Sequence, residues 1–266
     1  MSQEISNPAS AIGEAVGHII ESRLKVLIES ISKKHGFRLV STGDNSKKLL
    51  MKDHWDNQYD IDMVIEDSRR NPIVLLESKY LRYKKHMRDK GSWICVAHSS
   101  LRDTYPTIRS CIAVLIGDWT KGAKNLLASH GITLLEIPFT HVSEVLSHYG
   151  IEFRWKEKER EKAIDAWTVF SKIMESQRPK IGQELTSIVE KPLANILDHI
   201  LSNQKAAKLT SIELKLMLDT GQRLVFRSEK MESAIHFLSK FDATKVKEYT
   251  ERRDTMDSYF REKPTS

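Results

Sequence analysis

The chain has 266 residues, of which 40% are apolar and 29% charged, with only 11 glycines and 7 prolines. That composition belongs to a folded protein and excludes a disordered or fibrous one, and the length suits two compact units. The formal net charge of +6 is compatible with a polyanionic partner, but charge alone does not separate such a protein from other basic proteins.

The first 80 residues predict a long helix followed by three strands. Apolar residues recur at helical spacing over residues 9–34, and Gly36 follows as a stop signal. Three apolar or β-branched runs bounded by turn residues then predict strands, at 37–41, 59–65 and 73–76. The segment 67–72 has the length and composition of a hairpin loop, so the second and third strands should pair antiparallel.

The next 70 residues predict alternating helices and strands. A basic helical segment follows Lys79, and apolar runs at 111–116 and 132–137 indicate strands. Helices are expected at about 121–129 and 141–148, so the last two strands should be parallel. We therefore predict an α/β domain over residues 1–150, with a central mixed sheet flanked by helices.

The composition changes near residue 151, where charges of both signs three and four residues apart indicate a solvated helix surface. Further helices are expected at about 163–176 and 181–201, the second kinked near Pro192. Strict alternation at 212–216, a turn at 219–222 and an extended run at 224–226 then predict a β-hairpin, followed by a helix at 231–241. We predict that residues 151–266 form a mainly helical region with a β-hairpin.

The cysteines and the lengths of the apolar runs indicate where in the cell the protein is expected. Cys95 and Cys111 form no Cys-x-x-Cys pair, and the N-terminus lacks the basic-then-apolar layout of a signal peptide. No apolar run approaches the roughly 18 to 20 residues of a membrane span. We expect a cytoplasmic protein with no membrane partner.

Acidic residues and one lysine stand at the ends of the second and third predicted strands. Side chains alternate faces along a strand, so Glu77 and Lys79 should share one face, as should Asp60 and Asp62. If the hairpin register brings Asp62 opposite Glu77, two carboxylates are placed to bind one hard cation such as Mg²⁺. Lys79 would then stand beside the ion, where its charge stabilises a developing negative charge on a phosphate.

This pattern resembles the PD-(D/E)xK nuclease superfamily, which has a restriction-endonuclease-like fold. Asp62, Glu77 and Lys79 match its acid on the second strand and its acid-x-lysine on the third, whereas the proline that often precedes the aspartate is missing. Asp60 is the rival for the first acid, and we favour Asp62 because an apolar run follows it immediately. The resemblance covers roughly residues 9–150 and implies Asp62 and Glu77 as metal ligands and Lys79 as the electrostatic stabiliser.

Many members of this superfamily also carry a glutamate on the first helix that reaches the metal site. The segment Gly17-His18-Ile19-Ile20-Glu21 resembles that element, with Gly17 allowing close packing against the sheet. The resemblance implies Glu21 as an auxiliary acid, with Glu14 as its rival. Both residues would equally suit a solvent-facing surface of the helix.

The segment 79–90 holds six Lys or Arg and one acid, with two interleaved tyrosines. Because it adjoins the predicted site, we predict that Arg82, Lys84, Lys85 and Arg88 contact DNA phosphates, although a solvated basic helix would look the same. Cys95 and His98 have the spacing of half a zinc site, but its second half would need Cys111 and a distant histidine at no recognised spacing.

The resemblance implies a Mg²⁺-dependent DNA endonuclease, with Mn²⁺ able to substitute. Its natural subclass is a restriction-type enzyme that cuts double-stranded DNA as a homodimer. In such an enzyme, residues 151–266 would serve DNA recognition or dimerisation. A DNA-repair or branched-DNA nuclease is the alternative within the superfamily. A non-catalytic nucleic-acid-binding module with a nuclease fold is the alternative from another class.

Overall fold

The computed structural model describes residues 7–41, 49–82, 87–155, 159–202 and 208–249. These residues contain seven α-helices and nine strands, together with short 3₁₀ helices at Glu175–Gln177 and Ala243–Tyr249. The helices are α1 Pro8–Lys34, α2 Met87–Thr104, α3 Lys121–Ser129, α4 Phe139–Ser147, α5 Arg160–Phe170, α6 Arg178–Ser202 and α7 Met231–Lys240. The strands are β1 Arg38–Ser41, β2 Leu50–Lys52, β3 Gln58–Asp60, β4 Met63–Glu66, β5 Pro72–Leu81, β6 Ser110–Gly117, β7 Ile132–Ile137, β8 Ile212–Met217 and β9 Arg223–Ser228.

A five-stranded mixed sheet in the order β1-β4-β5-β6-β7 forms the centre of the fold. β1, β4 and β5 pair antiparallel, whereas β5, β6 and β7 pair parallel. The Asp67 carboxylate closes the β4–β5 turn by accepting hydrogen bonds from the backbone of Arg69 and from the backbone and side chain of Asn71. The predicted antiparallel hairpin, the parallel crossover and the α/β class are therefore confirmed.

Helices cover both faces of this sheet because its strands alternate two sets of apolar side chains. One set, which includes Leu76 and Val114, packs under α1, α4, α5 and α6. The other, which includes Leu75 and Ala113, packs under α2 and α3. Glu77 and Lys79 share the parity of Leu75, so the fold directs them to the α2 face.

The long first helix lies close to β5. It starts where the Asn7 side chain accepts a hydrogen bond from the amide of Ser10, and it ends just before Gly36, whose φ is +77°. A Cβ at Gly17 would stand 3.6 Å from Cβ of Tyr80, an ordinary packing distance. Gly17 therefore packs next to Tyr80 of β5, but a methyl group would also fit there, so this packing does not require glycine.

The structural division of the chain differs from the one expected at residue 150. The first compact unit is Met1–Gln204 and the second is Lys205–Ser266. α5 and α6 belong to the first unit because their buried side chains complete the core over α1. Arg23 on α1 also donates two hydrogen bonds to Glu190 on α6, at 2.7 and 3.1 Å.

The second unit, over its described residues, consists of the β8–β9 hairpin, α7 and a 3₁₀ helix. The hairpin pairs Ile212 with Ser228 and Met217 with Arg223, which confirms the hairpin predicted from alternation. Phe226 on β9 stacks on Phe237 of α7 with ring centroids 4.2 Å apart. None of the helices in the described parts of either unit is both long and apolar enough to cross a bilayer.

Candidate active site

The segment expected to be one strand at 59–65 is two strands separated by a bend at Asp62. β3 pairs with β2 in a separate two-stranded sheet, in which Asp60 lies opposite Leu50. β4 begins at Met63 and joins the central sheet. The expectation that Asp60 and Asp62 share a strand face is therefore wrong, because the bend places them in different local structures.

Asp62 is held at this bend by the neighbouring strand. Its Oδ2 accepts a hydrogen bond from the backbone amide of Ser78 at 2.8 Å. The β4–β5 ladder ends at the pair of Met63 and Leu76, so Asp62 and Glu77 are the first residues beyond that end. Of the two rival carboxylates, Asp62 is the one that the structure brings to Lys79.

Lys79 links the two carboxylates. Its Nζ lies 3.2 Å from both oxygens of Asp62 and 3.0 Å from Oε2 of Glu77. The three side chains differ in solvent exposure: Glu77 is 4% exposed, Asp62 19% and Lys79 32%. Beyond Leu76, β5 pairs with β6 but no longer with β4, so the cluster lies where the pairing of β5 with β4 ends.

The charges of the cluster do not balance. With both acids ionised, two carboxylates and one ammonium leave a net charge of −1 in a partly buried place. Burial and, after it, the Glu77 carboxylate raise the pKa of Asp62, and against the opposing charge of Lys79 the pKa settles at about 6. Burial would lower the pKa of Lys79, but the charges of Glu77 and Asp62 outweigh it and hold that pKa above its ordinary value.

His98 on α2 is a residue of this site that sequence reasoning did not place there. Its side chain is 1% exposed, and its Nε2 lies 3.9 Å from Oε1 of Glu77. Burial is the main cause that lowers the pKa of His98 to about 4, with Arg102 and Lys79 adding to it and Asp62 opposing, so the ring is neutral near pH 7. The signal was available, because His98 continues the apolar phase of Ile94 and Leu101 on the helix face that covers the sheet.

Glu21 is not brought into this cluster by any contact in the described part of the chain. It lies on α1, which covers the opposite face of the sheet from Glu77 and Lys79. Its Oε1 pairs with Nζ of Lys25 at 2.8 Å, one turn along the same helix. Its rival Glu14 accepts a hydrogen bond from the hydroxyl of Ser10 and is solvent-exposed. The auxiliary role of Glu21 stays a prediction.

The four predicted phosphate contacts fall in different surroundings. Lys84 and Lys85 lie outside the described residues. Arg88 is exposed in the first turn of α2. Arg82 instead donates a hydrogen bond from Nη2 to the carbonyl of Trp155 at 2.7 Å, and its guanidinium lies 3.8 Å from the centre of the Trp155 ring. The structure thus engages Arg82 within the protein, on the other side of β5 from Lys79.

Cys95 does not join His98 in a metal cage. Its Sγ lies 3.7 Å from the carbonyl oxygen of Leu126, in contact with α3. In the described ranges, no group of three or more His, Cys, Asp or Glu side chains is arranged to hold a metal ion by itself. A pair of carboxylates completed by water and substrate is a different kind of site, and Asp62 with Glu77 provides such a pair.

No protein family, curated protein or solved structure that was compared matches this chain. The residues of the site and their geometry are therefore what indicate a function.

Proposed function

We propose that this chain is a Mg²⁺-dependent DNA endonuclease with a restriction-endonuclease-like core. The observation that carries the proposal is the convergence of Asp62, Glu77 and Lys79 where the pairing of β5 with β4 ends. The PD-(D/E)xK resemblance implies an acid on one strand beside an acid-x-lysine on the next; here Asp62 lies at the bend just before β4, and Glu77 and Lys79 lie on β5.

The residues present fit a divalent cation. Hard cations of this kind prefer carboxylate oxygens, and Mg²⁺ usually takes one or two of them and keeps several waters. Oε2 of Glu77 is buried and lies 3.0 Å from the Lys79 ammonium, without a hydrogen bond of good geometry from the described residues. Asp62 and Glu77 would hold the ion, which when bound supplies an activated water and neutralises charge on the phosphate.

The side chains of this chain have separable tasks. The amide of Ser78 and the ammonium of Lys79 fix the orientation of Asp62 before substrate arrives. Lys79 is the most exposed of the trio, so its ammonium is placed to meet a phosphate oxygen and to stabilise its charge in the transition state. Arg88 would contact a phosphate of the DNA backbone from the start of α2.

A cleavage assay on supercoiled plasmid DNA with Mg²⁺ or Mn²⁺ tests the proposal. We expect wild-type protein to cut, and Glu77→Gln and Asp62→Asn to lose at least about 100-fold in rate. Asp60→Asn is the matched control, because it removes the neighbouring carboxylate in the separate β2–β3 sheet and should cut like wild type. If wild type cuts neither DNA nor RNA with either ion, the proposal fails.

The subclass follows from the pattern of cut ends on a long DNA. A restriction-type enzyme acting as a homodimer on double-stranded DNA cuts at a fixed short motif. Cleavage confined to branched substrates would instead indicate a repair or junction nuclease.

Loss of cutting in Asp60→Asn together with full activity in Asp62→Asn would overturn the assignment of the first acid.

A further inference from the structure

His98 is a polar side chain that is almost fully buried. Neither Nδ1 nor Nε2 has a hydrogen-bond partner among the residues that the structure describes. A neutral imidazole carries one N–H donor and one acceptor nitrogen, and buried polar groups of this kind nearly always have partners. A ring with two uncompensated nitrogens in the core therefore calls for a reason other than packing.

The carboxylate of Glu77 is the nearby group that can accept a hydrogen bond from the His98 ring. Oε1 of Glu77 is 3.9 Å from Nε2 of His98, and both side chains are at most 4% exposed. That separation exceeds a direct hydrogen bond by about 1 Å, yet is shorter than the roughly 4.5 Å that a bridging water needs. A small movement of either side chain closes it to a charge-assisted bond, which is stronger in the interior than at the surface.

We propose that His98 is a positioning residue for Glu77, donating its Nε2–H to Oε1 of the carboxylate. The bond leaves Oε2, the oxygen next to Lys79, directed toward Asp62 and the candidate cation site. Metal-binding carboxylates are commonly oriented by such outer hydrogen bonds, whose loss costs roughly 10- to 100-fold in metal affinity. The consequence for metal binding rests on the proposed function, whereas the bond itself does not.

Three substitutions on α2 separate positioning from packing. His98→Leu removes both nitrogens and keeps an apolar side chain in the core. His98→Gln keeps an N–H donor that can reach the same carboxylate oxygen. Cys95→Ala is the matched control, because Cys95 is equally buried one turn earlier on the same helix and its thiol faces Leu126.

Mn²⁺ titration by calorimetry and thermal unfolding give the first readouts. We expect His98→Leu to bind Mn²⁺ at least about 10-fold more weakly, and its melting temperature to fall because Oε1 of Glu77 loses its buried hydrogen-bond donor. His98→Gln should stay within about threefold of wild type, and Cys95→Ala should bind Mn²⁺ unchanged. Wild-type affinity in His98→Leu, with binding lost in Glu77→Gln, would overturn the role of His98 and leave the proposed function standing.

The imidazole tautomer gives a readout that needs neither metal nor DNA. Nitrogen-15 NMR of the metal-free protein should show His98 as the Nε2–H tautomer, with a proton signal that moves in Glu77→Gln. An Nδ1–H tautomer, or a signal indifferent to Glu77→Gln, would overturn the bond. If wild type binds no Mn²⁺, the proposed function fails, and the tautomer still decides whether His98 bonds to Glu77.

Discussion

Lys79 is the cation that compensates two carboxylates within the described site, and it does so from the most exposed position of the three. Coulomb attraction inside a protein is stronger than in water, so a change of one unit of charge here has large effects. The same ammonium both competes with a metal ion for Asp62 and Glu77 and stabilises charge on the substrate. Those two tasks can be separated by experiment.

We predict that Lys79→Met binds Mn²⁺ at least as tightly as wild type but cuts DNA about 100- to 1,000-fold more slowly. The substitution changes the net charge of the cluster from −1 to −2, which favours a divalent cation, and removes a group aimed at the phosphate. Calorimetry measures the first effect and plasmid cleavage the second. Loss of Mn²⁺ binding in this variant would mean that Lys79 acts by holding the carboxylates in place.

Asp53 is a buried acid with a structural task. Its carboxylate joins the β2–β3 turn to α2 by accepting hydrogen bonds from Ser100, Tyr59 and Asn57 and from the amide of Trp55. Burial alone would raise the pKa of Asp53, but these hydrogen bonds outweigh it and hold the pKa well below 3.8. The folded state therefore binds the proton of this group less readily than the unfolded chain does.

The contribution of Asp53 to stability depends on pH. A depressed pKa stabilises the fold above the unfolded value, and that contribution is lost as pH falls through and below 3.8. We predict that Asp53→Asn lowers the melting temperature at neutral pH and that the difference from wild type shrinks steadily as the pH falls below about 4. Ser100→Ala should give a smaller loss in the same direction, and a difference independent of pH would contradict this account.

The elements of the sheet were largely predictable because local patterns coincide with tertiary structure there. Asp67 and Asn71 mark the β4–β5 turn, but the register that brings Asp62 near Glu77 also depends on an irregularity at Ile65 and Glu66, where the pairing shifts by one residue. The bend at Asp62 was not predictable from alternation, since it depends on the amide of Ser78 sixteen residues away in sequence. Spacing along α2 places His98 on the face that covers the sheet, but only the packing of α2 on β5 brings it next to Glu77.

The crossing of α1 and α6 makes a prediction at the level of elements. A Cβ at Gly182 would stand 3.1 Å from Cβ of Arg23 and 3.2 Å from the carbonyl oxygen of Ile19. These neighbours belong to the helix backbone or lie next to it, so α6 would have to move. We predict that Gly182→Ala costs about 1 to 3 kcal/mol in the free energy of unfolding.

Gly17→Ala is the control for that prediction. Its added Cβ meets only an ordinary contact with Tyr80 at 3.6 Å. The helix propensity of alanine should then leave stability unchanged or raise it by up to about 1 kcal/mol. Urea unfolding of both variants measures the difference, and equal stability of the two would show that α6 does not constrain α1 at Gly182.

At the scale of the whole molecule, the first unit extends beyond the region that the nuclease resemblance covers. Phe153 is 1% exposed and lies with Trp155 in the core over α1. Lys34 and His35, at the end of α1, both contact Asp198 of α6, at 3.0 and 2.6 Å. Composition marked a change near residue 151, but a charged helix surface says nothing about the apolar face beneath it.

A chain truncated after residue 204 should therefore keep its cooperative fold, whereas a chain truncated after residue 150 should lose it. Without α5 and α6 the apolar face of α1 is left in water, so we predict that residues 1–150 aggregate or fail to unfold cooperatively. Residues 1–204 should unfold cooperatively and bind Mn²⁺ with wild-type affinity, because Asp62, Glu77, Lys79 and His98 all lie in this unit. If residues 205–266 carry the dimer contact or the site recognition, the shorter chain will run as a monomer in gel filtration or cut without sequence preference. A cooperatively folded 1–150 fragment would place α5 and α6 outside the structural core.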